Sequence, residues 1–231
     1  MKVYDIKNLS YSYENTQVLK NVNLQVNMGD FIAIIGENGT GKSTLIKILV
    51  GELKISKGVK IFDEDINSFE DWNRISYVAQ GFQEINFPIS CKEMILLDLY
   101  KDLSRKNRRE NNKKVEKALL KVNMSKYKDR NFSDLSGGQK QRILLAKAMI
   151  RNPDVLIFDE PTKGLDSNTK KEFFDTIREL NKMGKTIILV THDIENTEEY
   201  FNYIYKISDG GIKCLNTNLW EMLFYQEYYL L

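Results

Sequence analysis

A chain of 231 residues is long enough to bury a substantial core, either as one large domain or as two small ones. With 34 Lys and Arg against 32 Asp and Glu, the formal net charge is +2, so no global excess of positive charge exists to drive nucleic-acid binding. The two cysteines, Cys91 and Cys214, lie far apart without a CxxC pattern, which argues against a disulfide framework and against a cysteine zinc site.

The first zone of the chain, to Val78, reads as strands at Val3 to Ile6, Val18 to Val26, Phe31 to Ile35, Val59 to Phe62 and Ile75 to Val78, with one helix after Gly41. From Ser90 to Ile150 the spacing turns helical: Met94, Leu97 and Tyr100, then Val115, Leu119 and Val122, then Ile143, Leu144, Ala148 and Met149. From Asp154 the chain returns to a strand (VLIF), an amphipathic helix from Ser167 to Met183, a strand (TIILV), a helix, and a closing strand pair near Tyr203 to Leu215. This alternation predicts an α/β chain: a doubly wound sheet (1–88 and 151–231) interrupted by a helical subdomain (89–150). Pro88, Pro153 and Pro161 fall at segment boundaries, and no internal repeat appears. The Lys- and Arg-rich stretch from Lys101 to Lys121 reads either as a solvated face or as a surface near anionic lipid head groups. No apolar run approaches the about 18 residues of a membrane span, so the expectation is a cytosolic chain whose membrane work is left to another polypeptide.

The strand FIAII runs into Gly36-Glu37-Asn38-Gly39-Thr40-Gly41-Lys42-Ser43-Thr44 and then a helical LIKIL segment, satisfying GxxxxGK[ST] in its strand, loop, helix context. Glycines let the backbone turn its N–H groups inward, and the following helix adds its positive end, so a polyphosphate can be cradled. Lys42 is then expected to reach the β- and γ-phosphates of ATP, and Ser43 to ligate Mg²⁺. Val155-Leu156-Ile157-Phe158 reads as a buried strand ending in Asp159 and Glu160, where ligands of open α/β folds bind. Asp159 suits the magnesium shell, and Glu160, one residue on, suits the general base that polarises an attacking water. Alone, such a pair is more often a turn or cap. Leu135-Ser136-Gly137-Gly138-Gln139 opens an amphipathic helix with a hydroxyl and exposed backbone N–H groups, which reads as a second anion site, although SGG before a helix is by itself more often a cap.

With LSGGQ following a phosphate loop, nearly the whole chain resembles the ABC (ATP-binding cassette) ATPases. The resemblance implies a P-loop NTPase of ABC type with a mixed core sheet, an antiparallel β subdomain and an inserted α-helical subdomain. It implies a homodimer in the ATP-bound state, in which Ser136 to Gln139 close over the nucleotide of the opposite subunit. Tyr13 matches the aromatic that stacks on adenine, although a strand aromatic in the core is the alternative, with Tyr11 two residues away. Gln80 matches the glutamine that contacts Mg²⁺ and water and senses the permease. Gly164-Leu165-Asp166 resembles the D-loop, with Lys163 where a small residue is commoner. His192, the single histidine, matches the switch histidine that holds the γ-phosphate, the water and Glu160 in line.

A single cassette without its own membrane span is similar to the importer arrangement. The implied partners are integral membrane permease subunits and, indirectly, an extracellular solute-binding protein, with the chain at the cytoplasmic face of the cell membrane. A soluble non-transport ABC ATPase is the more distant alternative. Phe82 and Phe87, in QGFQEINFP, are candidates for a groove that takes a permease helix, or for internal packing. The stretches YVAQGFQEINFPISCKEMILL and EFFDTIRELNKMGKTIILVTHDIENTEEYFNYIY are similar to the zinc and manganese importer ATPases, which implies a divalent metal as cargo; another small solute is the alternative. Ser90-Cys91 departs from the commoner Thr-Val, and the tail EMLFYQEYYLL is a further departure with no role assigned by the resemblance.

Overall fold

In the computed structural model, which describes residues 1–80, 88–102, 107–192, 194 and 197–215, the alternating apolar residues after Met1 form β1 (Lys2–Tyr13), paired antiparallel with β2 (Thr16–Asn27). β1 runs well past the expected end at Ile6. The reason is a pair of bulges: Asn8 and Asn21 have positive φ, and the register shifts between Ile6 and Leu9. Each bulge breaks the inward-outward alternation that marks a strand in sequence. On its other side β1 pairs with β4 (Val59–Ile61), which pairs with β5 (Glu64–Asp65), so the antiparallel sheet has the order β2-β1-β4-β5.

The chain forms two compact units, Met1–Asp71 with the segment from Thr186 onward, and Trp72–Lys185. In the first unit, β3 (Phe31–Ile35) and β8 (Thr186–Thr191) are buried at every position and pair in parallel from Phe31↔Ile187 to Ile35↔Thr191. Strands covered on both faces must be apolar throughout, which is why they read as runs and not as alternations. β9 (Tyr203–Ser208) lies parallel to the other side of β3, and β10 (Gly211–Leu215) returns antiparallel, giving the expected mixed pattern. α1 (Lys42–Leu49) follows the glycine loop and buries Leu45, Ile46, Ile48 and Leu49. Between β8 and β9 the described residues hold a single 3-10 turn, Glu198–Tyr200, where a helix was expected. Thr197 closes on the Ile194 carbonyl with both its N–H (2.9 Å) and its hydroxyl (2.6 Å), a local pairing that competes with helix.

In the second unit, β6 (Ile75–Val78) and β7 (Val155–Asp159) pair in parallel, with Tyr77↔Ile157 and Val78↔Phe158. Around them lie α2 (Cys91–Leu96), α3 (Arg108–Lys121), α4 (Gly137–Met149) and α5 (Ser167–Lys182). α2 starts on a Ser90/Glu93 capping box. Cys91 beside it is buried, which pushes its thiol up to about 11, and both cysteines are free. α5 buries Phe173, Phe174, Ile177 and Leu180, with Phe173 edge-on to Phe158 of β7 at 5.6 Å. α3 buries Val115, Ala118 and Leu119, while its basic residues are solvated and partly paired, as in Lys114–Glu110; its Glu116 also pairs with Lys128 from beyond the helix. Among the described residues no helix is long and apolar enough to cross a membrane. Phe82, Phe87 and the tail EMLFYQEYYLL lie outside the described residues.

Tyr4 is fully buried, and its hydroxyl donates to the Leu49 carbonyl at 2.8 Å, tying β1 to the end of α1. Burial alone pushes this phenol well above its ordinary range. Tyr4→Phe leaves that carbonyl without its donor and is expected to cost about 1–3 kcal/mol, read as a lower urea midpoint with an unchanged slope. An unchanged midpoint would show that the hydroxyl contributes nothing net.

Candidate functional site

The glycine loop owes its course to crowding as well as to turn geometry. A Cβ at Gly36 would lie 2.5 Å from the Ile207 carbonyl oxygen and 2.9 Å from Thr40 Oγ1. At Gly41, with φ +108°, it would lie 2.8 Å from Leu19 Cδ2. Gly39 also has positive φ, +83°, but faces open space, so only its backbone conformation calls for glycine. Within the loop Thr40 donates to the Glu37 carbonyl at 2.9 Å. Lys42 is buried, and its ammonium donates to the Gly36 and Glu37 carbonyls at 2.5 and 2.7 Å. The cation is thus held on the inside of the loop. Glu37, Asn38, Gly39 and Ser43 are exposed, whereas Thr44 turns inward with the buried face of α1. The Ile35↔Thr191 pair makes Gly36 and His192 leave the sheet side by side, with His192 exposed. Tyr13, 41% exposed at the far end of β1, is not a core aromatic; its ring meets Tyr11 edge-on at 5.1 Å.

In the second unit the Val78↔Phe158 pair puts Gln80 and Glu160 each two residues beyond the same rung of the β6–β7 ladder. Asp159 is 9% exposed, and Oδ2 accepts from the Tyr77 hydroxyl at 3.3 Å. Tyr77 stands opposite Ile157, so it shares a face with Asp159 and reaches along the strand to it. Glu160 has φ +49°, a left-handed conformation uncommon for a residue with a side chain, and such strain clusters at functional positions. The turn after it is closed by Lys163 N–H to the Glu160 carbonyl at 3.3 Å and Leu165 N–H to Thr162 at 3.2 Å. Asp166 then caps α5. Its carboxylate accepts the Thr169 hydroxyl at 2.6 Å and the Thr169 N–H at 3.0 Å, and these bonds hold it below the usual carboxylate range.

Ser136 caps α4 in a capping box: its Oγ accepts the Gln139 N–H at 3.4 Å, and its own N–H donates to Gln139 Oε1 at 3.1 Å. The Gln139 amide nitrogen donates to the Tyr127 hydroxyl at 3.0 Å, which fixes which way the amide points. The Ser136 N–H is therefore spent internally. What the segment can offer an anion is the Ser136 hydroxyl proton and the N–H groups of Gly137 and Gly138, which as the first of the helix have no partner within it. Tyr77, Tyr127 and Thr169 were not evident as contributors from the sequence, because each acts through a contact across two elements.

The family model described as ABC transporter matches residues 19–163. The zinc uptake system ATP-binding protein ZurA of Listeria monocytogenes is 37% identical over 217 residues, covering 90% of this chain and 83% of the relative. The manganese transport system ATP-binding protein MntB of Bacillus subtilis is 37% identical over 204 residues, covering 87% and 81%. Among solved structures, CbiO1 from Clostridium perfringens, part of an ABC transporter complex, superposes with a TM-score of 0.85 at 30% identity, covering 98% of this chain and 92% of that one. A dimeric ATP-binding cassette in a post-hydrolysis state, bound to ADP and phosphate, gives 0.77 at 29% identity, covering 92% and 97%. The phosphate loop, the carboxylate-ended strand and the capped LSGGQ helix are thus those of a known architecture: the chain belongs to the ABC transporter family, as an ATP-binding cassette subunit.

Proposed function

We propose that the chain is the Mg²⁺-dependent ATPase of an importer that carries a divalent metal, zinc or manganese, through separate membrane permease subunits. The observation that carries the ATPase reading is the loop itself. Between a buried strand and a helix start it holds a buried lysine ammonium on its inner side, tied only to the loop's own carbonyls of Gly36 and Glu37, which suits a loop that receives phosphate through backbone N–H groups and that cation.

The roles follow from chemistry. Residues Gly36 to Thr44 cradle the polyphosphate, and Lys42 exchanges its carbonyl partners for phosphate oxygens as a stronger, charge-assisted pairing. The oxygen donors Ser43, Gln80 and Asp159 fit a hard cation, and Mg²⁺ bound there would neutralise charge on the phosphate oxygens. Tyr77 holds one oxygen of Asp159. Glu160 takes a proton from the attacking water, and His192 orients the γ-phosphate. Tyr13 stacks on adenine, in keeping with its exposure. Ser136, Gly137 and Gly138 donate to the nucleotide of a second copy, with Gln139 holding Ser136; the dimeric relative supports this arrangement. In this reading a helical subdomain, 89–150, is set into a catalytic core of 1–88 and 151–231, and the chain works at the cytoplasmic face of the membrane.

The cargo reading is supported by ZurA and MntB, named for zinc uptake and manganese transport. One histidine and two scattered cysteines make no transition-metal set in the sequence, so the metal is bound by partners, a permease and an extracellular binding protein.

Glu160→Gln is expected to keep ATP binding while reducing turnover at least about 100-fold, because the base is lost and the loop is untouched. ATP should then accumulate unhydrolysed in a dimer, seen as an ATP- and Mg²⁺-dependent shift on sizing chromatography; near-normal hydrolysis would remove Glu160 from its role. For the cargo, deleting the gene should lower cellular zinc or manganese under chelator limitation, with growth restored by that metal alone. Unchanged metal content would sink the cargo and leave the ATPase standing.

A further inference from the structure

The second glycine of the LSGGQ segment has a neighbour that nucleotide chemistry does not explain. A Cβ at Gly138 would lie 2.4 Å from Thr169 Cγ2, far inside contact distance, while the next nearest atoms, Thr169 Oγ1 and Cβ, would be at 3.5 and 3.6 Å, ordinary van der Waals separations. The whole conflict is therefore with one methyl group. That methyl cannot simply rotate away. The Thr169 hydroxyl donates to Asp166 Oδ2 at 2.6 Å, and the Thr169 backbone N–H holds the other oxygen of that carboxylate at 3.0 Å, so turning the methyl away would break the hydroxyl bond to an acceptor that is itself held in place. Leu165, from the same turn, sits beside Gly137, with its Cδ2 3.3 Å from where a Cβ would be.

From this geometry we infer that Thr169 is a positioning residue for the nucleotide-binding segment 135–139: locked by Asp166, its methyl seats the N-terminus of α4 through Gly138 and so sets where the Ser136 hydroxyl and the Gly137 N–H are presented. The inference rests on the reading of that segment as the donor set for ATP. It divides the two glycines by cause. Gly137 is exposed and its Cβ would meet only a flexible leucine tip. Gly138 lacks a side chain because α5 lies against it.

The test is suppression. In the full chain, Gly138→Ala should lower kcat/KM for ATP by about 100-fold, since a displacement of the order of an ångström in a donor set costs about that much. It should also lower the unfolding midpoint by about 3–10 °C, the cost of overpacking in a chain of this size. Thr169→Ser removes the clashing methyl but keeps the hydroxyl for Asp166. The double variant Gly138→Ala/Thr169→Ser should therefore return to within about tenfold of the Thr169→Ser activity and regain the Thr169→Ser midpoint. In the Glu160→Gln background the same pair should lose and then regain the ATP-driven dimer.

A double variant as impaired as Gly138→Ala, in activity or in dimer formation, would overturn the inference, because the added methyl would then be obstructing nucleotide directly. A Gly138→Ala chain with normal activity and midpoint would overturn it too. Absence of ATPase activity in the unsubstituted chain would count against the proposed function instead, and the unfolding midpoints would then support or overturn the seat by themselves.

Discussion

Parallel pairing of strands buried on both faces is the constraint on which the rest of this cassette depends. β3 and β8 have no exposed position, so neither can slide without moving apolar side chains out of contact, and their register is fixed from Phe31↔Ile187 to Ile35↔Thr191. A fixed register means a fixed common end. The glycine loop and His192 then emerge together, and polar chemistry is concentrated where the apolar runs stop. The β6–β7 pair applies the same rule to Gln80, Asp159 and Glu160. What looks in sequence like scattered motifs is one geometric consequence applied in each unit.

At these ends the backbone is conspicuously short of space. Gly36 is pressed by the Ile207 carbonyl, Gly41 by Leu19, and Gly138 by Thr169. A glycine-rich motif is readily explained by what it binds, yet Gly36 is closed to a side chain by a backbone carbonyl and Gly138 by a methyl group, both from the protein itself, while Gly41 adds a left-handed φ to its crowding. Gly39 is the contrast, open in space but left-handed in φ. Crowding and turn geometry are thus separate reasons for glycine within one loop, and only the second is legible in a sequence pattern.

The same division explains how far the sequence could be read. Apolar periodicity and the phosphate-loop, LSGGQ and VLIFDE segments carried the fold class and placed the glycine loop, Asp159 and Ser136 at a strand end or helix start, because those signals are local in the chain. The strand ends were less legible. β1 continues through a bulge at Asn8 whose cause is its pairing with β2, and among the described residues between Thr191 and β9 only a 3-10 turn stands where the sequence reads as a helix. Tyr13 left two readings open, and its exposure at the end of a long hairpin removes the core alternative. Tyr77, Tyr127 and Thr169 could not be found from the sequence, since each is an ordinary residue until its partner, Asp159, Gln139 or Gly138, is brought beside it.

One stretch of chain joins these contacts into a sequence of mechanical dependence. Glu160 takes a left-handed backbone conformation directly after the last residue of β7, and the turn behind it is tied by its own carbonyl to Lys163. Gly164, also left-handed, completes the reversal, and Asp166 caps α5. No flexible spacer intervenes among these bonded turns, so the positions of Glu160 and Asp166 are not independent. Asp166 in turn fixes the Thr169 rotamer, and Thr169 limits how closely α4 approaches α5. The carboxylate proposed as the base and the segment proposed to close on a second copy's nucleotide are thereby parts of one packed assembly within unit Trp72–Lys185. A change in the turn that carries Glu160 therefore bears on the Asp166 cap, whose loss would sacrifice two hydrogen bonds to a carboxylate, and through the Thr169 rotamer on the start of α4.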